Sequence, residues 1–232
     1  AYISDGAVEE EVSQGVGRIA GHLGLSNFVM YYDSNNIQLS TKVDEVMTEN
    51  VAMKYEAWGW NVLSIDGHNI NEIREALVAA VQNGADAVYM GFGAFNARRS
   101  ARNFSDEEFR AAVSYCHLRG VKVFLTLNTL LTDRELPEAA EVLKKASAWG
   151  VDAVLVQDWG LLTLAKEIVP DLPLHASTQM SLFTLGGANA AAALGMERVV
   201  LARELARDEV WEICAGCGAE IEVFGHGALC MC

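Results

Sequence analysis

Long apolar runs are missing from this sequence, and so is a basic N-terminal region followed by an apolar one. A helix needs about 20 apolar residues in a row to cross a bilayer, and a secretory leader needs that two-part pattern. A soluble, cytoplasmic protein without a membrane partner is therefore expected. Proline is scarce: Pro137, Pro170 and Pro173 are the three in the chain, all near element edges, where a residue lacking an N–H is tolerated. Low-complexity linkers are lacking too, so composition marks no domain boundary. Basic side chains are few, Lys+Arg 17 against Asp+Glu 31, for a formal charge of −14. Phosphate binding draws its affinity from Lys and Arg, which disfavours nucleic acid as a partner of the isolated chain. The five cysteines are odd in number and four of them follow residue 213, unlike a secreted disulfide framework.

What is present is a recurring step: a helical stretch, a glycine, two residues, then a short β-branched run. It occurs at Gly59, Gly84, Gly120 and Gly150, and more weakly at Gly195 and Gly218. Glycine ends a helix in the left-handed conformation without steric cost, and the apolar run suits a strand buried on both faces. Strands are expected near 1–4, 27–33, 60–65, 86–91, 121–127, 152–157, 173–177, 197–202 and 220–225. Helices are expected near 8–23, 46–58, 70–82, 105–118, 134–148, 159–168, 182–193 and 205–215. Ser105 with Glu108 forms a capping-box pattern, and Asp133 is placed as the cap of the next helix. Alternation of this kind defines an α/β fold of parallel βα repeats.

Two groups of residues carry candidate chemistry near the N-terminus. Asp5-Gly6 follows one strand and Asp33-Ser34-Asn35-Asn36-Ile37 follows the next. Carboxylate, amide and carbonyl oxygens at adjacent strand ends suit Mg²⁺, and strand carboxyl ends are the usual site in open α/β sheets. The stretch SDGAVEEEVSQGVGRIAGHLGLSNFVMYYDSNNIQL, followed by TENVAMKYEAWGWNVLSIDGHN, resembles the thiamine-diphosphate-binding domain of transketolases over residues 1 to about 80. The resemblance implies thiamine diphosphate held through Mg²⁺. It implies Asp5 and Asn35 as metal ligands with the Ile37 carbonyl, Gly6 as the backbone approach to the diphosphate, and Glu10 near the cofactor and a subunit interface, hence an oligomer. Ser4-Asp5-Gly6 stands where that family has GDG, and Glu10-Glu11 where it has EG. The pyrimidine-binding domain and the sugar-binding histidines are absent, and His22 and His68 are expected at the surface or in turns. Transketolase activity, a glycolaldehyde transfer, is not expected.

Farther along, polar residues fall just after the expected strands: Asn96 and Arg98, Asn128, Gln157 and Asp158, then His175, Ser177, Thr178 and Gln179. Arg203, Glu204 and His226 complete the series. In a (β/α) barrel the strand carboxyl ends open on one face, so these groups are expected to converge on a small-molecule site. His175 and Ser177, two apart on one strand, are expected on the same side, but no oxyanion-hole motif accompanies them. The segments AAVQNGADAVYMG, FNAR, FSDEEFRAAVSYCHLRGVKVFLTLNTL, VQDWG, LPLHASTQMS, RVVLARELA and EVFGHGALCMC resemble the collagenase-like peptidase family U32 over residues 78–232. That resemblance implies a link to RNA or quinone hydroxylation and a site at His175, Gln179, Arg203, Glu204 and His226. It also implies Cys230 as first ligand of an iron–sulfur cluster, a cofactor that takes four thiolates. Cys214 and Cys217 have metal-ligand spacing and, with Cys230 and Cys232, form a candidate zinc set; Cys116 is expected in the core.

The two resemblances meet near residues 76–82. Strand 60–65 and helix 70–82 are expected to serve as the first βα unit of the barrel, giving seven strands from Trp60. The architecture expected is an incomplete TIM-barrel-like body over about 60–232, with a thiamine-diphosphate-domain fragment before it; the divisions are 1–80 and 81–232. The chain opens without Met inside a strand-like segment and stops inside a cysteine motif, so both ends are expected to be cut. A fragmentary fusion without turnover is expected. Two alternatives stay open: an active peptidase-like enzyme with its site at the barrel mouth, and a thiamine-diphosphate-binding module.

Overall fold

From Ala87 onward, each β-branched run that follows the glycine step forms a strand. In the computed structural model the described residues are 2–4, 8, 10–25, 30–34, 48–66, 69–93, 95 and 104–224. They divide into two compact units. One comprises Ala1–Asp66, Glu75–Ala85 and Phe224–Cys232; the other comprises Gly67–Arg74 and Asp86–Val223. Among the described residues no helix is long and apolar enough to cross a membrane.

The larger unit holds β3 (Ala87–Gly91), β4 (Lys122–Leu127), β5 (Ala153–Val156), β6 (Leu174–Ala176), β7 (Arg198–Val200) and β8 (Glu220–Glu222). All are parallel and lie side by side in sequence order. Doubly wound sheets reverse their strand order at a switch point. A sheet that never reverses is built like a (β/α) barrel wall, and six such strands make an incomplete one. The intervening helices are α4 (Asp106–His117), α5 (Leu136–Ala148), α6 (Trp159–Ile168), α7 (Leu185–Ala193) and α8 (Arg207–Gly216).

Alternation along the strands separates two faces. Val123, Leu125, Leu127, Val154, Val156, Leu174, Ala176 and Val199 are buried on one of them, as are the helix residues Phe109, Val113, Leu143, Leu161, Ala165 and Ile213. The other face carries Phe124, Leu155, His175, Arg198 and Glu220, aligned by the registers Leu155↔His175, His175↔Arg198 and Arg198↔Glu220. One face of the sheet is thus an aliphatic core and the other a mixed, charged one.

The capping box at Ser105 forms: its hydroxyl accepts from Glu108 N, and Glu108 accepts from Ser105 N. Asp133 does not cap α5, contrary to expectation. The N-cap is Glu135, whose carboxylate turns back to accept from the Thr132 N–H and hydroxyl. Pro137, in the first turn, needs no donor partner there.

In the smaller unit, β1 (Tyr2–Ser4) and β2 (Tyr31–Asp33) form a parallel pair, with α1 (Glu11–Leu23) and α2 (Val51–Ala57). Its core centres on Val8 and Tyr55, with Met30, Tyr32, Val51, Trp58, Trp60 and Val62 packed against them. This core accounts for a correction. The strand expected over 60–65 is not formed, although helix α3 (Ile70–Gln82) is. Trp60 donates its indole N–H to Gly17 O at 2.8 Å, and its ring meets Tyr55 at 5.5 Å. Trp60 and Val62 thereby join the N-terminal core, while Leu63 and Ile65 stay exposed. Among the described residues the large sheet has six strands rather than seven.

Candidate functional site

Three strand ends supply the polar mouth. Asn128 follows β4, Gln157 follows β5, and Ser177-Thr178-Gln179 follows β6. Ser177, 1% exposed, accepts from Asn128 Nδ2 at 3.2 Å and from its near neighbour Gln179 N at 3.3 Å. Gln157 Nε2 donates to Gln179 O at 3.2 Å, and the Thr178 hydroxyl to Leu201 O at 3.2 Å. The 177–181 turn is thus tied to the ends of β4, β5 and β7. Ser181 closes it with φ 52°, the one non-glycine residue with positive φ among the described residues. Such a conformation costs about 1 kcal/mol or more and persists only where surroundings impose it. Gln179 Oε1 and Thr129 Oγ1 are buried without a hydrogen-bond partner among the described residues. Arg203, half-buried, and Glu204, exposed, follow β7.

His175 does not join this mouth network. Its ring meets Phe124 edge-on at 4.9 Å and 70°, beside Arg198 at the start of β7. Arg198 in turn bonds Glu220 at 2.6 Å and Glu222 at 3.1 Å. Burial lowers the His175 pKa from 6.5 to about 4, assisted by the charges of Arg198 and Lys122 and opposed by Glu220. The imidazole is therefore neutral at physiological pH. Ser177 shares the sheet face with His175 by alternation, yet its hydroxyl is held by Asn128 and Gln179. A hydroxyl becomes a nucleophile only through an adjacent base, and that pairing is not made among the described residues. Asp158 also has other work. It caps α6 through Leu161 N at 2.9 Å and accepts from Leu131 N at 3.3 Å.

The inner cluster of Phe124, Arg198, Glu220 and Glu222 is a feature that motif reading misses. Its signal was available in the alternation Glu220-Ile221-Glu222, which faces two carboxylates the same way, opposite Arg198 on the neighbouring strand.

Several expected site residues lie outside the described residues: Asp5, Gly6, Asn35, Ile37, Asn96, Arg98, His226, Cys230 and Cys232. Glu10 is exposed at the start of α1 and makes no side-chain cap bond. The register Ser4↔Asp33 sets the carboxyl ends of β1 and β2 side by side. Strand carboxyl ends are where α/β sheets place ligands, but the oxygen donors for a Mg²⁺–diphosphate group are not among the described residues. Among the described residues there is no group of three or more His, Cys, Asp or Glu fit to hold a metal. Cys116 is buried, its thiol pKa pushed up by burial, while Cys214 is exposed and Cys217 half-buried.

Sequential parallel strands with polar groups gathered at their carboxyl ends define a barrel-type α/β protein. The family model described as peptidase family U32 matches residues 73–232, more than half of the chain, and the chain belongs to that family. A model of the transketolase thiamine diphosphate binding domain matches residues 1–89. Among curated proteins, the chain is 40% identical over 174 residues to the 23S rRNA 5-hydroxycytidine C2501 synthase of Escherichia coli K12, covering 73% of this chain and 26% of that protein. It is 35% identical over 156 residues to tRNA hydroxylation protein P of Helicobacter pylori 26695, covering 66% and 37%. A solved U32 peptidase superposes with a TM-score of 0.49 at 19% identity, over 60% of each chain. The chain thus spans between a quarter and two fifths of the length of these two curated relatives.

Proposed function

We propose that this chain forms the ligand-holding part of a barrel mouth in a U32 protein of the RNA-hydroxylation kind. On this reading it takes a small, planar, polar group and holds it without turning it over alone. The observation that carries the reading is the network Asn128–Ser177–Gln179–Gln157, drawn from three successive strand ends, with Gln179 Oε1 buried and unpartnered among the described residues. An unsatisfied buried acceptor costs about 1–3 kcal/mol, and a donor on a bound ligand removes that cost. Amides and hydroxyls bind and orient; they do not transfer protons near neutral pH. The neutral His175, set against Phe124, is not aimed at the Ser177 hydroxyl through any bond among the described residues, which weighs against a peptidase. The names of the two relatives support hydroxylation of RNA as the parent activity. The formal charge of −14 argues that RNA is engaged through other parts of such a protein. Residues 1–80 and 81–232 are, on this reading, separately derived segments of a cytoplasmic protein.

The test is a titration of the 232-residue chain with cytidine and with a cytidine-containing RNA oligonucleotide, followed by NMR of the Asn128, Gln157 and Gln179 side-chain amides. Mass spectrometry of the nucleosides after incubation with oxygen and a reductant completes it. Expected are amide shifts with cytidine, weak retention of RNA, and no oxygen addition. Unmoved amides would remove the mouth as the site, and a hydroxylated product would show that the chain acts alone.

One observation favours a second reading, a Mg²⁺–thiamine diphosphate module: the side-by-side ends of β1 and β2. Asp5, Asn35 and the Ile37 carbonyl would hold the metal, Gly6 would admit the diphosphate, and Glu10 would stand near the cofactor. When bound, the group supplies a carbanion equivalent. Calorimetry with Mg²⁺–thiamine diphosphate decides. Binding heat lost in Asp5→Ala supports the module, and no heat from the unaltered chain ends it.

A further inference from the structure

The Cys214-Ala-Gly-Cys217 turn takes no part in the mouth described above. Cys214 lies in the last turn of α8, whose final residue is Gly216, and Cys217 is its C-cap. Both are free thiols, Cys214 exposed and Cys217 half-buried. The Cys217 sulfur accepts a hydrogen bond from the Ala219 backbone N–H at 3.4 Å. An N–H donor two residues after a cysteine steadies a sulfur that carries negative charge, and hydrogen bonds to sulfur are a main lever in thiolate–metal sites.

The turn is also held from outside. Asn189 of α7 donates through Nδ2 to Gly216 O at 3.2 Å and accepts at Oδ1 from Gly218 N at 3.1 Å. One amide thus brackets Cys217 on both sides. Gly216 sits so close to Leu185 that a Cβ there would fall 2.9 Å from Leu185 Cδ2. Packing against α7 therefore holds this end of the helix as well.

Two activities suit a CxxC pair, and the placement separates them. A thiol nucleophile of the disulfide-exchange type is favoured at a helix N-terminus, where the positive end of the dipole stabilises thiolate. Here the pair stands at the opposite end, which withholds that stabilisation from an attacking thiolate. The geometry points to a binding site for one soft, monovalent, thiophilic cation of the Cu⁺ class, held by the sulfurs of Cys214 and Cys217. Thiolates suit Cu⁺, Zn²⁺ and iron–sulfur iron alike, but zinc and iron–sulfur sites take four ligands, whereas two thiolates suffice for one Cu⁺, and Cys214 is exposed. Each thiol gives up its proton as the ion enters, so two thiols and one Cu⁺ yield a complex of charge −1 and two released protons. Uptake therefore weakens as pH falls.

The experiment presents Cu⁺, as its bicinchoninate complex, to the reduced full-length chain without oxygen. The expected result is withdrawal of one Cu⁺ per chain by the unaltered protein and by the Cys230→Ser/Cys232→Ser double variant, and none by Cys214→Ser or Cys217→Ser. Asn189→Ala keeps both sulfurs but frees the turn, and is expected to bind about tenfold more weakly. Trp211, exposed one helical turn before Cys214, provides a second readout: its fluorescence, isolated by difference against Trp211→Phe, is quenched on loading. Equal uptake by the single-cysteine variants would overturn the site. Loss of uptake in the Cys230/Cys232 double variant would overturn it as well, since the binding unit would then be a four-sulfur set.

Discussion

The Arg198 guanidinium lies 5.2 Å from the centroid of the Phe124 ring, across the two strands that separate them. This contact organises the inner face of the sheet. Arg198 reaches Phe124 on β4 with its cationic plane, and Glu220 and Glu222 on β8 with its N–H groups. His175, on β6 between them, meets the same Phe124 ring edge-on.

Stability should therefore depend on His175 between pH 5 and pH 7. Its folded pKa, about 4, lies below the unfolded value near 6.5, so the unfolded chain binds the extra proton in that interval. The stabilisation is complete above the unfolded value and is lost as pH falls toward the folded one. The groups facing the ring are Phe124, Arg198, Glu220 and Lys122. Between pH 7 and pH 5 the expected loss from this one group is about 2 kcal/mol. Urea unfolding of the unaltered chain and of His175→Gln at both pH values checks it. The loss should be about 2 kcal/mol smaller in the variant, and equal losses would contradict the buried neutral imidazole.

Arg198→Met should raise the His175 pKa, because the Arg198 charge is the second cause of its depression after burial. It should also loosen β8, whose two carboxylates would face each other unshielded. The stability cost is expected to be small, because Glu220 and Glu222 both reach water. An NMR titration of the His175 ring protons measures the shift. A midpoint that stays put or falls would mean that burial alone sets this histidine.

Asp158 separates the structural from the functional part of the mouth. Its two oxygens serve Leu161 N and Leu131 N, so Asp158→Ala should destabilise the chain by about 1–2 kcal/mol, while Asp158→Asn restores the cap at Leu161 N but not the second bond, since its NH₂ cannot accept from Leu131 N. Cytidine affinity at Asn128, Gln157 and Gln179 should be unchanged in Asp158→Asn. A lost ligand response in a well-folded Asp158→Asn would return this residue to the site.

These residues also show where sequence reasoning reaches and where it stops. The glycine steps at Gly84, Gly120 and Gly150 announce the strands after them because a helix stop and a buried apolar run are local properties. Gly59-Trp-Asn-Val-Leu carries the same step, yet no strand follows. What redirects it is a bond from Trp60 to Gly17, far away in the chain. Mouth groups are legible for a similar reason: a polar residue just past a strand end has one face of a barrel to occupy. His175 lies one place inside its strand, so alternation gives its face, but its neighbours depend on the register with β7. Arg198, Glu220 and Glu222 sit inside strands: the Glu-x-Glu alternation faces two carboxylates one way, but only the register of β7 with β8 sets Arg198 opposite them.

Two glycines of α1 should respond to alanine with opposite signs. A Cβ at Gly15 would meet nothing within 4 Å, whereas a Cβ at Gly21 would fall 2.1 Å from the backbone oxygen of Trp58. Gly15→Ala removes backbone freedom from the unfolded chain at no steric cost, and should stabilise the N-terminal unit by about 0.5–1 kcal/mol. Gly21→Ala must push α1 away from the end of α2, because a backbone oxygen cannot rotate aside as a side chain can. The expected loss is about 3 kcal/mol or more, with the Trp60–Gly17 hydrogen bond strained in consequence. Thermal unfolding followed by tryptophan fluorescence distinguishes the two. If both alanines behave alike, the close crossing of α1 and Trp58 is not the contact that holds this unit together.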